Sequence, residues 1–210
     1  VAIGDSADKL IENITPKINN IKVGPYNDEA SDMGPVVSKE AFERIYGLIK
    51  SGVEEGANLV VDRRNVDLQG YENGYFVGPC LFDNVKDNMR IYKEEIFGPV
   101  LSIVRAKTYE EGLKLVKENP YGNGCSIFTR DGDTARNFSN EANVGMIGVN
   151  IPIPVPVAYF SFGGWKNSIF GGHNAYGMEG IRFYTNIKTI TTKWPKGIRE
   201  GAEFKMPILS

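Results

Sequence analysis

Histidine and cysteine are nearly absent from this chain: His173 stands alone, and Cys80 and Cys125 are the two thiols. One histidine and two cysteines scattered over 210 residues show no metal-ligand spacing, which argues against a zinc site. Two thiols are also too few for a disulfide framework, and they suit the cytoplasm, or the mitochondrial matrix of a eukaryote, better than a secreted setting. An excess of one charge is missing as well. The 24 Lys and Arg nearly balance the 26 Asp and Glu, giving a formal net charge of -2 and no electrostatic footprint for nucleic acid or an anionic membrane. No long apolar run survives either, because Ile147 to Phe160 is broken by Pro152, Pro154 and Pro156 and cannot be a spanning helix. A phosphate loop ending in Lys-Ser/Thr is absent too. Small molecules, or copies of the chain itself, remain as partners. With 41% hydrophobic and 24% charged residues, the chain is long enough for one core, or a core plus an appendage.

What is present is alternation of strand and helix signals. Val1-Ala2-Ile3-Gly4 reads as the tail of a hydrophobic strand, so the chain is expected to begin inside a domain. A helix capped by Ser6 should carry Leu10, Ile11, Ile14, Ile18 and Ile21 on one side, with Pro16 bending or shortening it. A second, capped by Ser38, aligns Phe42, Ile45, Tyr46, Ile49 and Val53 and ends at Gly56. Strands are expected at Asn58 to Val61, Leu81 to Val85, Leu101 to Ala106, Cys125 to Thr129 and Val144 to Val149, with a surface excursion over Val66 to Gly78. Thr108 and Glu111 have capping-box spacing ahead of a helix stopped by Pro120, and Asp133 is expected to cap another. This order predicts an α/β fold, a mostly parallel sheet with helices on both faces. Toward the end, Phe183 to Trp194 alternates like a strand, with Ile187, Thr189 and Thr191 opposite Lys188, Ile190 and Thr192. It has no local partner, so it is expected to leave the α/β body and pair elsewhere.

Candidates for chemistry are few. Cys80 and Cys125 lie in apolar strand contexts and read as small buried fillers, and His173 reads as a loop residue without a nucleophile to serve. Gly163-Gly164-Trp165-Lys166 is a weak anion cue whose plain reading is a tight turn with Lys166 solvated. In Glu94-Glu95-Ile96-Phe97-Gly98-Pro99-Val100 a carboxylate and an aromatic ring stand two residues apart. That turn is either simply solvated, or one wall of a cleft where the carboxylate accepts hydroxyls and the ring packs on a planar heterocycle.

These segments, in this order, resemble the aldehyde dehydrogenase superfamily. The resemblance is carried by the Glu94 to Val100 turn, Ser161-Phe162-Gly163-Gly164-Trp165-Lys166, Gly122-Asn123-Gly124, Gly145 to Asn150 and Lys188-Thr189-Ile190-Thr191. Within it, Asn150 to Phe160, Phe183-Tyr184-Thr185 and the closing Ala202 to Pro207 are similar to the CoA-acylating methylmalonate-semialdehyde branch. The resemblance implies NAD as cofactor and CoA as co-substrate, with Glu95 holding the nicotinamide-side ribose and Phe97 beside the nicotinamide. It places Phe162 near the substrate tunnel and Asn150 at the strand end leading into the proline wall. It implies a partial catalytic domain over 1–160, a glycine-rich aromatic connection over 161–183, and an oligomerisation strand with tail over 184–210, in a homo-oligomer, dimer or tetramer. The family nucleophile, a cysteine, its base and its oxyanion-stabilising asparagine correspond to positions upstream of Val1. No catalytic residue is therefore assigned here, and the chain alone is expected to be inactive. A non-catalytic assembly module on the same fold, and a non-acylating aldehyde dehydrogenase, stay open as alternatives.

Overall fold

The computed structural model describes residues 1–194; the closing Ala202 to Pro207 motif lies outside them. β1 (Ala2–Ile3) turns through Gly4 into α1 (Ser6–Asn20). Ser6 is the first helical residue and not the cap; Asp5 occupies the cap position and makes no side-chain bond there. Pro16 sits inside α1 without ending it. The helix survives because Ala7 and Ile18 are buried and Ile11 and Ile14 pack with them, so tertiary burial outweighs one lost backbone bond. α2 (Lys39–Glu54) begins as expected, with Ser38 Oγ accepting from the Ala41 amide at 3.2 Å, and it buries Ile45, Leu48 and Ile49.

β2 (Asn58–Asp62) and β3 (Cys80–Asp83) pair antiparallel across the irregular 66–78 excursion. After the short α3 (Arg90–Lys93), the chain enters β4 (Val100–Ser102) and β5 (Arg105–Ala106). One strand was expected here, and the backbone makes two because it changes sheet. Ile103 N donates to Phe82 O at 2.8 Å, whereas Val104 O accepts from Ala2 N at 2.8 Å. β4 thus runs parallel to β3, and β5 parallel to β1.

α4 (Tyr109–Glu118) has the expected start. Thr108 Oγ1 accepts from Glu111 N at 3.3 Å, and the Glu111 carboxylate accepts from Lys107 N at 2.7 Å. β6 (Tyr121–Gly122), β7 (Gly124–Ile127), α5 (Gly132–Glu141) and β8 (Met146–Val149) follow. The α5 cap is Asp131, which accepts from Thr134 N at 2.8 Å; Asp133 belongs to the first turn, where its charge favours the helix N-terminus. β7 and β8 are parallel, while β9 (Trp165–Lys166) folds back antiparallel onto β6. Three of the five strand pairs are parallel among the described residues.

Helices do cover both faces, and β3 shows how. Its side chains alternate: Cys80 and Phe82 enter a core with Ile45, Leu48 and Ile49 of α2, and Leu81 points the other way, into a core with Ala7 and Ile18 of α1. A third core joins α4 and α5 over β7 and β8 through Leu113, Phe138, Ala142 and Val144. Asp83 ends β3 almost fully buried. It takes two bonds from Arg105 at 2.9 and 2.8 Å, and Arg105 also reaches Asp8 of α1 at 2.6 Å. The guanidinium holds the Asp83 carboxyl below the ordinary carboxylate range.

The start of the C-terminal segment needs correction. Phe183 and Tyr184 close a helix, α6 (Gly177–Tyr184), and 185–194 form no strand in the single chain. A strand exists through its partner's hydrogen bonds; among the described residues no strand pairs with 185–194, and the partner expected from the sequence is another subunit. Ile187, Ile190 and Trp194 are exposed in the single chain. The tail from Lys196 lies outside the described residues.

Candidate functional site

The Glu95 to Val100 turn is held by its backbone, which leaves the Glu95 and Phe97 side chains free to face outward. Arg44 of α2 donates to the Glu95 carbonyl at 2.9 Å and the Ile96 carbonyl at 2.5 Å, and Ile96 is buried. Gly98 lies flat on Ile45: a Cβ there would come within 2.6 Å of the isoleucine Cδ1. Phe97 takes φ +47°, a left-handed conformation uncommon for a ring residue, and the residue is 75% exposed. Of the acidic pair, Glu94 is engaged with Arg90 at 2.6 and 3.0 Å. Glu95 is exposed and makes no side-chain hydrogen bond among the described residues. A free carboxylate and an exposed ring on a pinned, strained backbone suit a ligand that offers hydroxyls beside a flat ring.

The second pair of expected site residues lies on other elements. Asn150 follows β8 with φ +58°; its side-chain oxygen accepts from Thr129 N at 3.0 Å and its amide donates to Thr129 O at 3.1 Å. The side chain therefore imitates one further rung of the β7–β8 ladder and fixes where the proline stretch departs. Ile151, Ile153, Val155 and Val157 of that stretch are exposed. Phe162 exchanges two backbone bonds of 2.9 Å with Ala175, and its ring lies 5.6 Å from that of Tyr176. Among the described residues, no hydrogen bond or ring contact joins Glu95 and Phe97 to Asn150 and Phe162.

Neither thiol is poised for attack. Cys80 is buried with its sulfur 3.7 Å from the Asp62 carboxylate, Cys125 is half-buried, and burial pushes both thiols up, away from the reactive thiolate. The His173 ring pairs with Glu179 at 3.0 Å and serves no nucleophile. No group of three metal-ligating side chains occurs among the described residues, nor any helix long and apolar enough to cross a membrane.

Two anchors escaped the sequence reading. Arg44 works on carbonyls 51 and 52 residues away, which leaves no local pattern to read. Lys166, expected in solvent, gives its ammonium to three carbonyls at the end of α4: Val116 at 3.1 Å, Lys117 at 3.0 Å and Asn119 at 2.9 Å.

A profile of the aldehyde dehydrogenase family matches residues 3–190, nearly the whole described chain. The chain belongs to the aldehyde dehydrogenase family. Among curated members of that family, it is 52% identical to malonate-semialdehyde dehydrogenase of Pseudomonas aeruginosa over 100% of this chain and 42% of the relative. It is 46% identical to the acylating mitochondrial methylmalonate-semialdehyde/malonate-semialdehyde dehydrogenase of Bos taurus, over 99% of this chain and 38% of that protein. Among solved aldehyde dehydrogenases, an NAD complex assigned as methylmalonate-semialdehyde dehydrogenase from Sinorhizobium meliloti 1021 superposes with a TM-score of 0.91 at 57% identity. The match covers 95% of this chain and 40% of that one. The chain thus spans about two fifths of the length of the aldehyde dehydrogenases it matches.

Proposed function

We propose that this chain is part of an NAD-dependent, CoA-acylating methylmalonate-semialdehyde dehydrogenase. In this reading the enzyme oxidises malonate or methylmalonate semialdehyde to acetyl-CoA or propionyl-CoA, releasing carbon dioxide and reducing NAD, and works as a homo-oligomer in the cytoplasm or mitochondrial matrix. The observation that carries it is the turn at Glu95 to Phe97, where a backbone pinned by Arg44 presents an unengaged carboxylate and an open ring. Glu95 would hold ribose hydroxyls and Phe97 would pack beside the nicotinamide; NAD, when bound, supplies the hydride acceptor. Phe162 and the stretch after Asn150 would form the aldehyde side. The similarity to acylating relatives supports the choice of CoA as acceptor.

Product analysis of the full-length enzyme tests this. With malonate semialdehyde, NAD and CoA, the expected products are acetyl-CoA, carbon dioxide and NADH, and NADH formation should fall sharply without CoA. A free acid formed at the same rate with or without CoA would overturn the acylating assignment. It would favour a non-acylating aldehyde dehydrogenase.

A further inference from the structure

The segment 161–168 carries two adjacent glycines and few buried side chains, yet it is bonded at several points to α4 and the loop that follows it. Two sets of contacts explain this. The first is backbone docking: β9 pairs with β6, Asn167 N donates to Pro120 O at 3.1 Å, and Ser168 Oγ accepts from Gly122 N at 3.0 Å. Gly145 permits this close approach, since a Cβ there would lie 2.1 Å from the Gly163 carbonyl oxygen. The second is the Lys166 ammonium, bonded to the carbonyls of Val116, Lys117 and Asn119. Such carbonyls at a helix end have no intrahelical donor and concentrate the negative end of the helix dipole, so a cation with three N–H donors satisfies them together. Lys166 does this from φ +53°, a conformation that favours glycine. A long cationic side chain at such a backbone position makes sense where the cation is needed.

We propose that Lys166 is a positioning residue for the aldehyde site: by clamping the end of α4, it fixes the turn four residues after Phe162 and so sets where that ring stands. The proposal rests on the reading of Phe162 as a wall of the aldehyde pocket, and concerns the aldehyde side alone. The cofactor turn is held independently, by Arg44.

The test is a series in the full-length enzyme: Lys166→Arg, Lys166→Gln, Lys166→Met and, separately, Phe162→Ala. For each, KM is measured for aldehyde and for NAD, and amide exchange is followed at Gly122 and Asn167. Lys166→Met should raise the aldehyde KM about tenfold with the NAD KM unchanged, as expected when a group of charge-assisted bonds that orders the pocket is lost. Gln should fall between Met and Arg, Arg should recover most of the wild-type value, and exchange at both amides should quicken in the same order. If Met prevents folding, the Gln and Arg variants carry the comparison. If Phe162→Ala raises the aldehyde KM and no Lys166 variant does, Lys166 has no positioning role and the pocket reading survives. If Phe162→Ala leaves the aldehyde KM unchanged, the pocket reading itself fails. Equal rises in both KM values would reduce Lys166 to general stability and overturn the proposal.

Discussion

At the residue scale, the two charged groups with the clearest consequences are Asp83 and Glu95, and they act in opposite ways. Asp83 is buried and spent on Arg105, whereas Glu95 is exposed and unengaged. Asp83→Asn keeps the shape and removes the charge, so the folded chain should lose about 1.5–3 kcal/mol, the range for hydrogen bonds to charged groups. Because the folded carboxyl lies below its ordinary value, this stabilisation is full above the unfolded pKa of about 4 and is lost as pH falls through the folded one. Urea midpoints of the two proteins should therefore differ at pH 7 and draw together as pH falls below about 4; a constant gap would remove the charge argument. Glu95→Gln in the full-length enzyme should slow single-turnover hydride transfer or weaken NAD by about 1.5–3 kcal/mol, since an amide pairs with hydroxyls less strongly than a carboxylate does. Unchanged NAD affinity and unchanged hydride rate would remove Glu95 from the site. That Glu95 and Phe97 share one exposed turn was legible because both sit within one short motif. Arg44 and Lys166 were not, since each binds backbone carbonyls of a distant segment and carbonyls have no sequence identity.

At the element scale, what the sequence displayed depended on whether an element's cause was local. Ser38 and Thr108 cap their helices with their own hydroxyls, and the spacing revealed both. Pro16 does not shorten α1: the residue forbids a local bond, while the apolar face of the helix, a tertiary cause, carries it through to Asn20. Pro16 is exposed, so Pro16→Ala should restore the bond to the Glu12 carbonyl at no packing cost. Net of the stiffness proline lends the unfolded chain, the expected gain is about 1–3 kcal/mol, read as a raised urea midpoint. A lower midpoint would mean that α1 is shaped around the ring. The start of the stretch at Phe183 was misjudged for the converse reason. Its two-residue alternation suits a strand, but the tertiary setting of α6 takes Phe183 and Tyr184 into a helix, and the rest is in no strand pair among the described residues.

At the scale of the whole molecule, the parallel pairings and the two-sided coverage of β3 were foreseeable from the strand–helix order, because each crossover constrains the next. The large apolar surface from Ile151 to Trp194 was not, since burial depends on what lies opposite. We expect the 210-residue chain to show no NAD reduction with malonate semialdehyde. Turnover lost in Cys125→Ser but retained in Cys80→Ser would refute this. The amides of Ile187 to Thr192 should exchange freely in the isolated chain and be protected in the assembled full-length enzyme; equal protection in a strictly monomeric chain would argue against an inter-subunit strand.

Chemical ageing adds one more consequence at this scale. Asn150 is an asparagine in a turn, the setting where spontaneous deamidation begins when the next backbone nitrogen attacks the side-chain carbon. Here both ends of the side chain are occupied by Thr129, and the neighbouring nitrogen belongs to the β-branched Ile151, so the bonds that aim the proline stretch also slow the loss of the amide that makes them. Conversion to aspartate would set a carboxylate oxygen against the Thr129 carbonyl. Repulsion would replace the donor bond, and the proline stretch would lose the tie that fixes where it departs from β8.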